Sequence, residues 1–151
     1  MKTIITYGTF DLFHVGHVKL LERLKRLGDR LVIGLSTDEF NTQKGKTVVI
    51  PYKDRKSVLL ACRHVDHVFP EENWEQKRSD ILREKADIFA IGDDWIGKFD
   101  DLEDIVNVLY LPRTQNISTT DIKAVMSQIE EDKKKEIKNV FSHLSTLVEK
   151  L

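Results

Sequence analysis

The sequence predicts an α/β fold: an open parallel sheet with helices on both faces, followed by an extra C-terminal helix. Two observations carry this. Short apolar runs rich in β-branched residues recur along the chain, each the length of a buried strand, and helical periodicity fills the intervals between them. Alternation of strand and helix needs the crossover connections that parallel pairing requires.

The elements follow in order. "TIITY" is the first strand, and "HVKLLERLKRLG" then sets Val18, Leu20, Leu21, Leu24 and Leu27 at helical spacing before Gly28, an expected C-cap. "RLVIGLS" is the second strand and "KDRKSVLLACRHV" the next helix. "DHVFP", the helical "WEQKRSDILREK", "DIFAIG" and "NVLYLP" complete the alternation. "RTQNISTTD" opens a helix, with Ser118 and Asp121 in capping-box positions. In the final stretch, Glu130 with Lys134 and Glu131 with Lys135 are favourable i,i+4 pairs, and Ile137, Leu144 and Leu151 recur every seven residues. The expected organisation is one domain over residues 1–127 and a helical extension over 128–151.

Composition limits the function. At 151 residues, 40% hydrophobic and 32% charged, the chain suits one compact core. A formal net charge of −1 gives no bulk field for a polyanion, so no nucleic-acid partner is expected and phosphate chemistry must use local cations. No run reaches the roughly 18 apolar residues of a membrane span, and "MKTIITYGTF" lacks a signal-peptide core, so a cytoplasmic protein without membrane insertion is expected. The single cysteine, Cys62, sits in "SVLLACRHV" as a small core residue.

In open α/β sheets ligands bind beyond the carboxyl ends of the strands. Three segments fall there: "GTFDLFHVGH", "GDDWIGKFDD" and "RTQNISTTD". In the first, Gly8 allows close approach of a ligand, Thr9 adds a hydroxyl, and His14 and His17 stand three apart where a helix begins, a place that favours anions. Two readings compete with a phosphate site: surface histidines beside a cap, and a metal site built from Asp11, His14 and His17. Arg55 and Arg63, eight apart on one expected helix, could take phosphate oxygens or pair with Asp54 or Asp66.

"GTFDLFHVGH" resembles the first signature of the cytidylyltransferase branch of the HxGH nucleotidyltransferase superfamily, and "RTQNISTT" resembles its second, usually RTEGISTT. "STDEFN", "NWEQK" and "GDDWIGKFD" extend the resemblance toward the bacterial branch that uses sn-glycerol 3-phosphate, over about residues 1–127. The resemblance implies a Rossmann-like fold and transfer of a cytidylyl group from CTP to sn-glycerol 3-phosphate. It releases pyrophosphate by direct in-line attack and makes CDP-glycerol for teichoic acid or capsule. It further implies a homodimer, Mg²⁺ carried mainly by the CTP phosphates, and no metal ligands in the protein.

By the same resemblance His14, His17, Lys46 and Arg113 are catalytic. CTP contacts fall to Thr9, Phe10, Val15, Gly16, Asp94 and Trp95, and to Thr114, Gln115, Asn116, Ile117, Ser118, Thr119 and Thr120 besides. Lys44 and Lys77, with Trp74 as a wall, face the acceptor; Arg55 and Arg63 join them only on the phosphate reading of their helix spacing given above. Gln115 and Asn116 depart from the usual EG and remove a carboxylate. Alternative functions are a cytidylyltransferase for phosphocholine or phosphoethanolamine, and a nucleotide sensor without transfer.

Overall fold

The computed structural model describes residues 1–115 and 118–151. It divides into two compact units, Met1–Asn116 and Ile117–Leu151. The first holds a five-stranded sheet in the order β3-β2-β1-β4-β5, with every pairing parallel. Its strands are β1 (Thr3–Gly8), β2 (Arg30–Ser36), β3 (His67–Glu71), β4 (Ile88–Gly92) and β5 (Asn107–Leu111). Its helices are α1 (Val15–Lys25), α2 (Asp38–Gln43), α3 (Tyr52–Ala61) and α4 (Lys77–Glu84). Single 3₁₀ turns at Asp93–Trp95 and Asp100–Leu102 lie between β4 and β5.

Strand alternation sorts the core onto two faces. Ile4, Leu31, Ile33, Leu35 and Ile88 pack with Leu21 and Leu24 of α1 and Leu59 of α3. Ile5, Val32 and Phe89 point the other way, toward Ile81 of α4 and Leu102. Both faces are therefore covered, as a parallel sheet requires.

The chain reverses direction across the sheet between β1 and β4. These strands pair only at Ile4–Ile88 and Ile5–Phe89, so a crevice opens beyond them at the switch point. Gly8 and Gly92 end the two strands at its floor.

Several boundaries differ from the sequence reading. α1 stops at Lys25 with Arg26 as its cap, and Gly28 serves close packing: a Cβ there would lie 2.7 Å from the Lys2 carbonyl oxygen. α3 ends at Ala61 because Cys62 turns extended, which leads the chain into β3. α4 begins three residues after Trp74 and ends on Lys85 in the left-handed conformation (φ 51°). The six-residue α2 was not expected, although Thr37 accepts a hydrogen bond from the Phe40 N–H as its cap.

The second unit consists of α5 (Thr119–Glu149), 31 residues without a break. It runs straight through the expected boundary at 127 and 128. Ser118 caps it, its Oγ accepting from the Asp121 N–H at 3.0 Å and donating to the Asp121 carboxylate at 2.7 Å.

Candidate active site

The β1–α1 loop is held in an unusual shape. Phe10 and Leu12 both adopt positive φ, 51° and 49°, where side chains other than glycine are strained. Gly8 makes room for the folded-back ring: a Cβ there would lie 2.8 Å from Phe10 Cε2. Asp11, buried, accepts hydrogen bonds from Leu12 N (3.1 Å), Val49 N (2.8 Å) and Ile50 N (2.9 Å). Its carboxylate thus ties this loop to the lysine-bearing loop after α2. Thr9 Oγ1 donates to Asn41 Oδ1 at 2.9 Å, which ties the same β1–α1 loop to α2 itself.

His14 is the N-cap of α1. Its Nδ1 accepts from Gly16 N at 3.0 Å, and His17 Nδ1 accepts from His14 N at 3.2 Å. An accepting Nδ1 places the proton of the neutral ring on Nε2, so both imidazoles are Nε2–H tautomers. The capping reading and the phosphate reading thereby describe one device, since the cap sets which nitrogen is the donor.

The rings stack with centroids 3.9 Å apart, and Phe10 and Phe13 both lie 5.3 Å from His17. Burial pushes the His14 pKa down; burial, then the neighbouring His14, pushes His17 to about 4 against a pull from Asp11. Both are neutral donors at pH 7. Beside them Gly16 is buried and Val15 exposed.

Next to this loop a cleft of about 70 Å³ opens at the crevice. Tyr7, Gly8, Thr9, Ser36, Lys44, Lys46, Glu71, Trp74, Lys77, Ile91 and Trp95 line it. Lys44 Nζ donates to Ser36 Oγ at 3.0 Å and lies 4.3 Å from the Phe40 ring centroid. Burial pulls its pKa to about 8, while Glu71 opposes the fall.

Lys77 is buried, its Nζ 3.5 Å from Glu71 Oε1 and over the rings of Tyr7 (4.5 Å) and Trp74 (4.9 Å). Burial lowers its pKa too, again against Glu71. The Glu71 carboxyl is itself raised by burial, and its Oε2 has no hydrogen-bond partner among the described residues. Trp74 and Trp95 meet at 5.3 Å and wall the cleft, while Lys46 stands exposed at its rim.

Two expected acceptor ligands are placed elsewhere. Arg55 is 2% exposed, and its guanidinium donates to the carbonyls of Ile50 (2.8 Å), Thr9 (2.8 Å) and Ser36 (2.9 Å) and to Asp38 (2.7 Å). It is a framework residue whose ionic partner is Asp38, not Asp54 or Asp66. Arg63 lies in the exposed turn before β3, at the amino-terminal edge of the sheet, because α3 ends two residues earlier. Asp66 pairs with Lys25.

Arg113, exposed just past β5, reaches Asp94 at 3.4 Å, so these two expected nucleotide contacts share one rim of the crevice. Thr114 and Gln115 continue from it, and Asn116 and Ile117 lie outside the described residues. Ser118, Thr119 and Thr120 belong to the second unit, where they form the start of α5.

Sequence reasoning missed Glu71, Tyr7 and Ser36. The position of each was the available signal, since all three sit at or near the carboxyl end of a strand.

The family model described as cytidylyltransferase-like matches residues 5–125. The chain is 60% identical over 123 residues to the glycerol-3-phosphate cytidylyltransferase of Bacillus subtilis, covering 82% of this chain and 95% of that protein. It is 50% identical to the protein of the same name from Staphylococcus aureus over 123 residues, covering 82% and 93%. Among solved structures, the lipopolysaccharide core biosynthesis protein from Thermoplasma volcanium has the same fold, with a TM-score of 0.66 at 23% identity over 76% of this chain and 99% of that one. A nucleotidyltransferase crevice, an HxGH helix start and a family match across most of the sequence coincide, and the chain belongs to the cytidylyltransferase-like family.

Proposed function

We propose that the protein transfers the cytidylyl group of CTP to sn-glycerol 3-phosphate, releasing pyrophosphate and CDP-glycerol. One observation carries the reading: three lysines converge on a single cleft beside two neutral imidazole donors at a helix start. An acceptor phosphate oxygen attacks the CTP α-phosphorus in line. The new P–O bond forms as the bond to the β-phosphate oxygen breaks, and the electron pair leaves with pyrophosphate.

The acceptor phosphate is already ionised near neutral pH, so the site needs no base. His14 and His17 donate through Nε2–H to oxygens whose charge grows, with Lys46 and Arg113 adding positive charge around the triphosphate. Thr9, Phe10, the α1 amides from Val15 to His17, Asp94, Trp95, Thr114 and Gln115 hold the nucleotide. Lys44 and Lys77 bind the acceptor phosphate against the Trp74 wall. Mg²⁺ would enter on the CTP phosphates and offset their charge.

The aromatic faces favour this acceptor over phosphocholine. A quaternary ammonium would seek the rings of Trp74, Tyr7 and Phe40, but the ammonium groups of Lys77 and Lys44 already occupy them. The cleft therefore offers cations to an anion.

No helix among the described residues is long and apolar enough to cross a membrane. The product, an activated glycerol phosphate, would feed a polymerising transferase for teichoic acid or capsule from the cytoplasm. A homodimer is the proposed assembly.

The test is incubation with CTP, sn-glycerol 3-phosphate and Mg²⁺, with mass spectrometry for CDP-glycerol and an assay of pyrophosphate. Turnover of phosphocholine or ATP and none of the proposed pair would refute the assignment.

A further inference from the structure

α5 is roughly 47 Å long at 1.5 Å per residue, and as a single helix its unit buries none of its own residues. It continues well past residue 125, where the family match ends. Large apolar side chains run along one stripe, with Ile137, Val140, Leu144 and Phe141 each more than half exposed. A stripe this long and this dry needs a partner.

We propose that the partner is a second copy of the chain, whose α5 packs antiparallel against this one. The spacing of the stripe is nearly palindromic. From Ile122 it steps by 4, 3, 4 and 4 residues to Ile137; from Leu151 it steps back by 4, 3, 4 and 3 to the same residue. Antiparallel pairing sets Ile122 against Leu151, Met126 against Leu147 and Ile129 against Leu144, apolar on apolar at every one of these layers. The single polar member of the stripe, Lys133, falls beside Val140 of the facing helix, where its long stem covers the contact and its ammonium reaches water.

Charge decides between orientations and occupants. A parallel pair would lay Glu130, Glu131 and Asp132 against themselves and Lys133 against Lys133, like charge on like. The antiparallel pair sets Glu130, Glu131 and Asp132 against His143, Ser142 and Phe141, and keeps like charge only at Lys123–Lys150 and Lys135–Lys138. From Thr119 to Lys150 there are six acidic and six basic side chains, so the helix has no net attraction to anionic headgroups and suits a neutral, self-complementary surface.

The experiment uses the full chain in a Cys62→Ser background. Met126→Cys combined with Leu147→Cys should give an interchain disulfide between positions 126 and 147, since 21 residues of helix, roughly 31 Å, bar the intrachain bond. Met126→Cys alone linking as efficiently would make the pair parallel and overturn the proposal. So would linking no faster than Ser142→Cys, which lies on the opposite face of α5.

Sedimentation supplies the independent arm. Leu144→Glu should weaken association by at least tenfold, and an unchanged association constant would overturn the proposal. Binding of the chain to phosphatidylglycerol vesicles, abolished by Leu144→Glu, would reassign the stripe to a lipid surface.

Discussion

The Lys77 ammonium lies 3.5 Å from the Glu71 carboxylate, and both side chains are almost wholly withdrawn from water. A buried pair gains little by itself, but removing either partner leaves the other uncompensated. Lys77→Ala should raise the acceptor KM by about 10- to 100-fold, the scale of a lost charge-assisted contact, and the CTP KM far less. Steady-state kinetics with each substrate varied would show it; the reverse pattern would move Lys77 to the nucleotide.

Glu71 should reveal itself in a pH profile. Lys44, at about 8, and Lys77, lowered by burial, must both be protonated to hold a phosphate, so acceptor affinity should fall as pH rises above about 8. Glu71 raises both pKa values. Glu71→Gln should therefore shift the alkaline limb of acceptor kcat/KM to lower pH, while the CTP KM at pH 7 stays near wild type. A limb that does not move would mean Glu71 has no influence on the lysines.

The histidines combine two roles that substitution can separate. His14→Ala should lose the helix cap, about 1 kcal/mol, and a transition-state donor, roughly 10²–10³ in kcat. Asn is a good cap without the imidazole Nε2–H, so His14→Asn should regain the stability and not the rate. Thermal melts beside kcat measure the two separately, and full turnover in either folded variant would remove His14 from catalysis.

His17 makes stability depend on pH. Its folded pKa, about 4, lies below the unfolded value near 6.5, so the unfolded chain binds more protons between these limits. The stabilisation is complete above about pH 6.5 and is lost as pH falls through the window toward 4. His17→Gln should lose about 1–3 kcal/mol less than wild type between pH 7 and pH 4.5, allowing for screening of a partly exposed ring. Urea midpoints at the two pH values give the comparison.

Much of this was legible in the sequence, and the failures share a cause. Five apolar runs announced five strands because buried parallel strands leave a continuous signal, and the order of elements then located the crevice. The spacing of His14 and His17 marked a helix start, and they stand there as the N-cap and N3 residues of α1. Arg55 was misread because a charged residue on a helix says nothing of what folds over it: its acceptors are carbonyls of three separate segments. Glu71 was missed for the same reason, since only tertiary structure brings it to Lys44 and Lys77. Arg63 failed on a helix end, where Cys62 turns extended with no glycine or proline to announce it.

Arg55 provides the last prediction. Its guanidinium joins the β1–α1 loop at Thr9, the end of β2 at Ser36 and the loop before α3 at Ile50, and it neutralises Asp38. Arg55→Met keeps much of the packing volume but removes the guanidinium donor of the Thr9 and Ile50 carbonyls, leaves the Ser36 carbonyl with only the Asn41 amide at 3.4 Å, and takes the cation from Asp38. The cost should be about 2–4 kcal/mol, set by the buried carbonyls that lose a donor, since Asp38 is half exposed and stays solvated without its cation. Arg55→Lys should recover little of it, because one ammonium cannot reproduce a planar fork that serves three directions. Activity should fall together with stability, and kcat should suffer along with both KM values, since Thr9 and the loop carrying Asp11 lose their support. Chemical denaturation and kinetics on the same preparations decide the matter. A variant with wild-type stability and a raised acceptor KM would return Arg55 to the role of phosphate ligand.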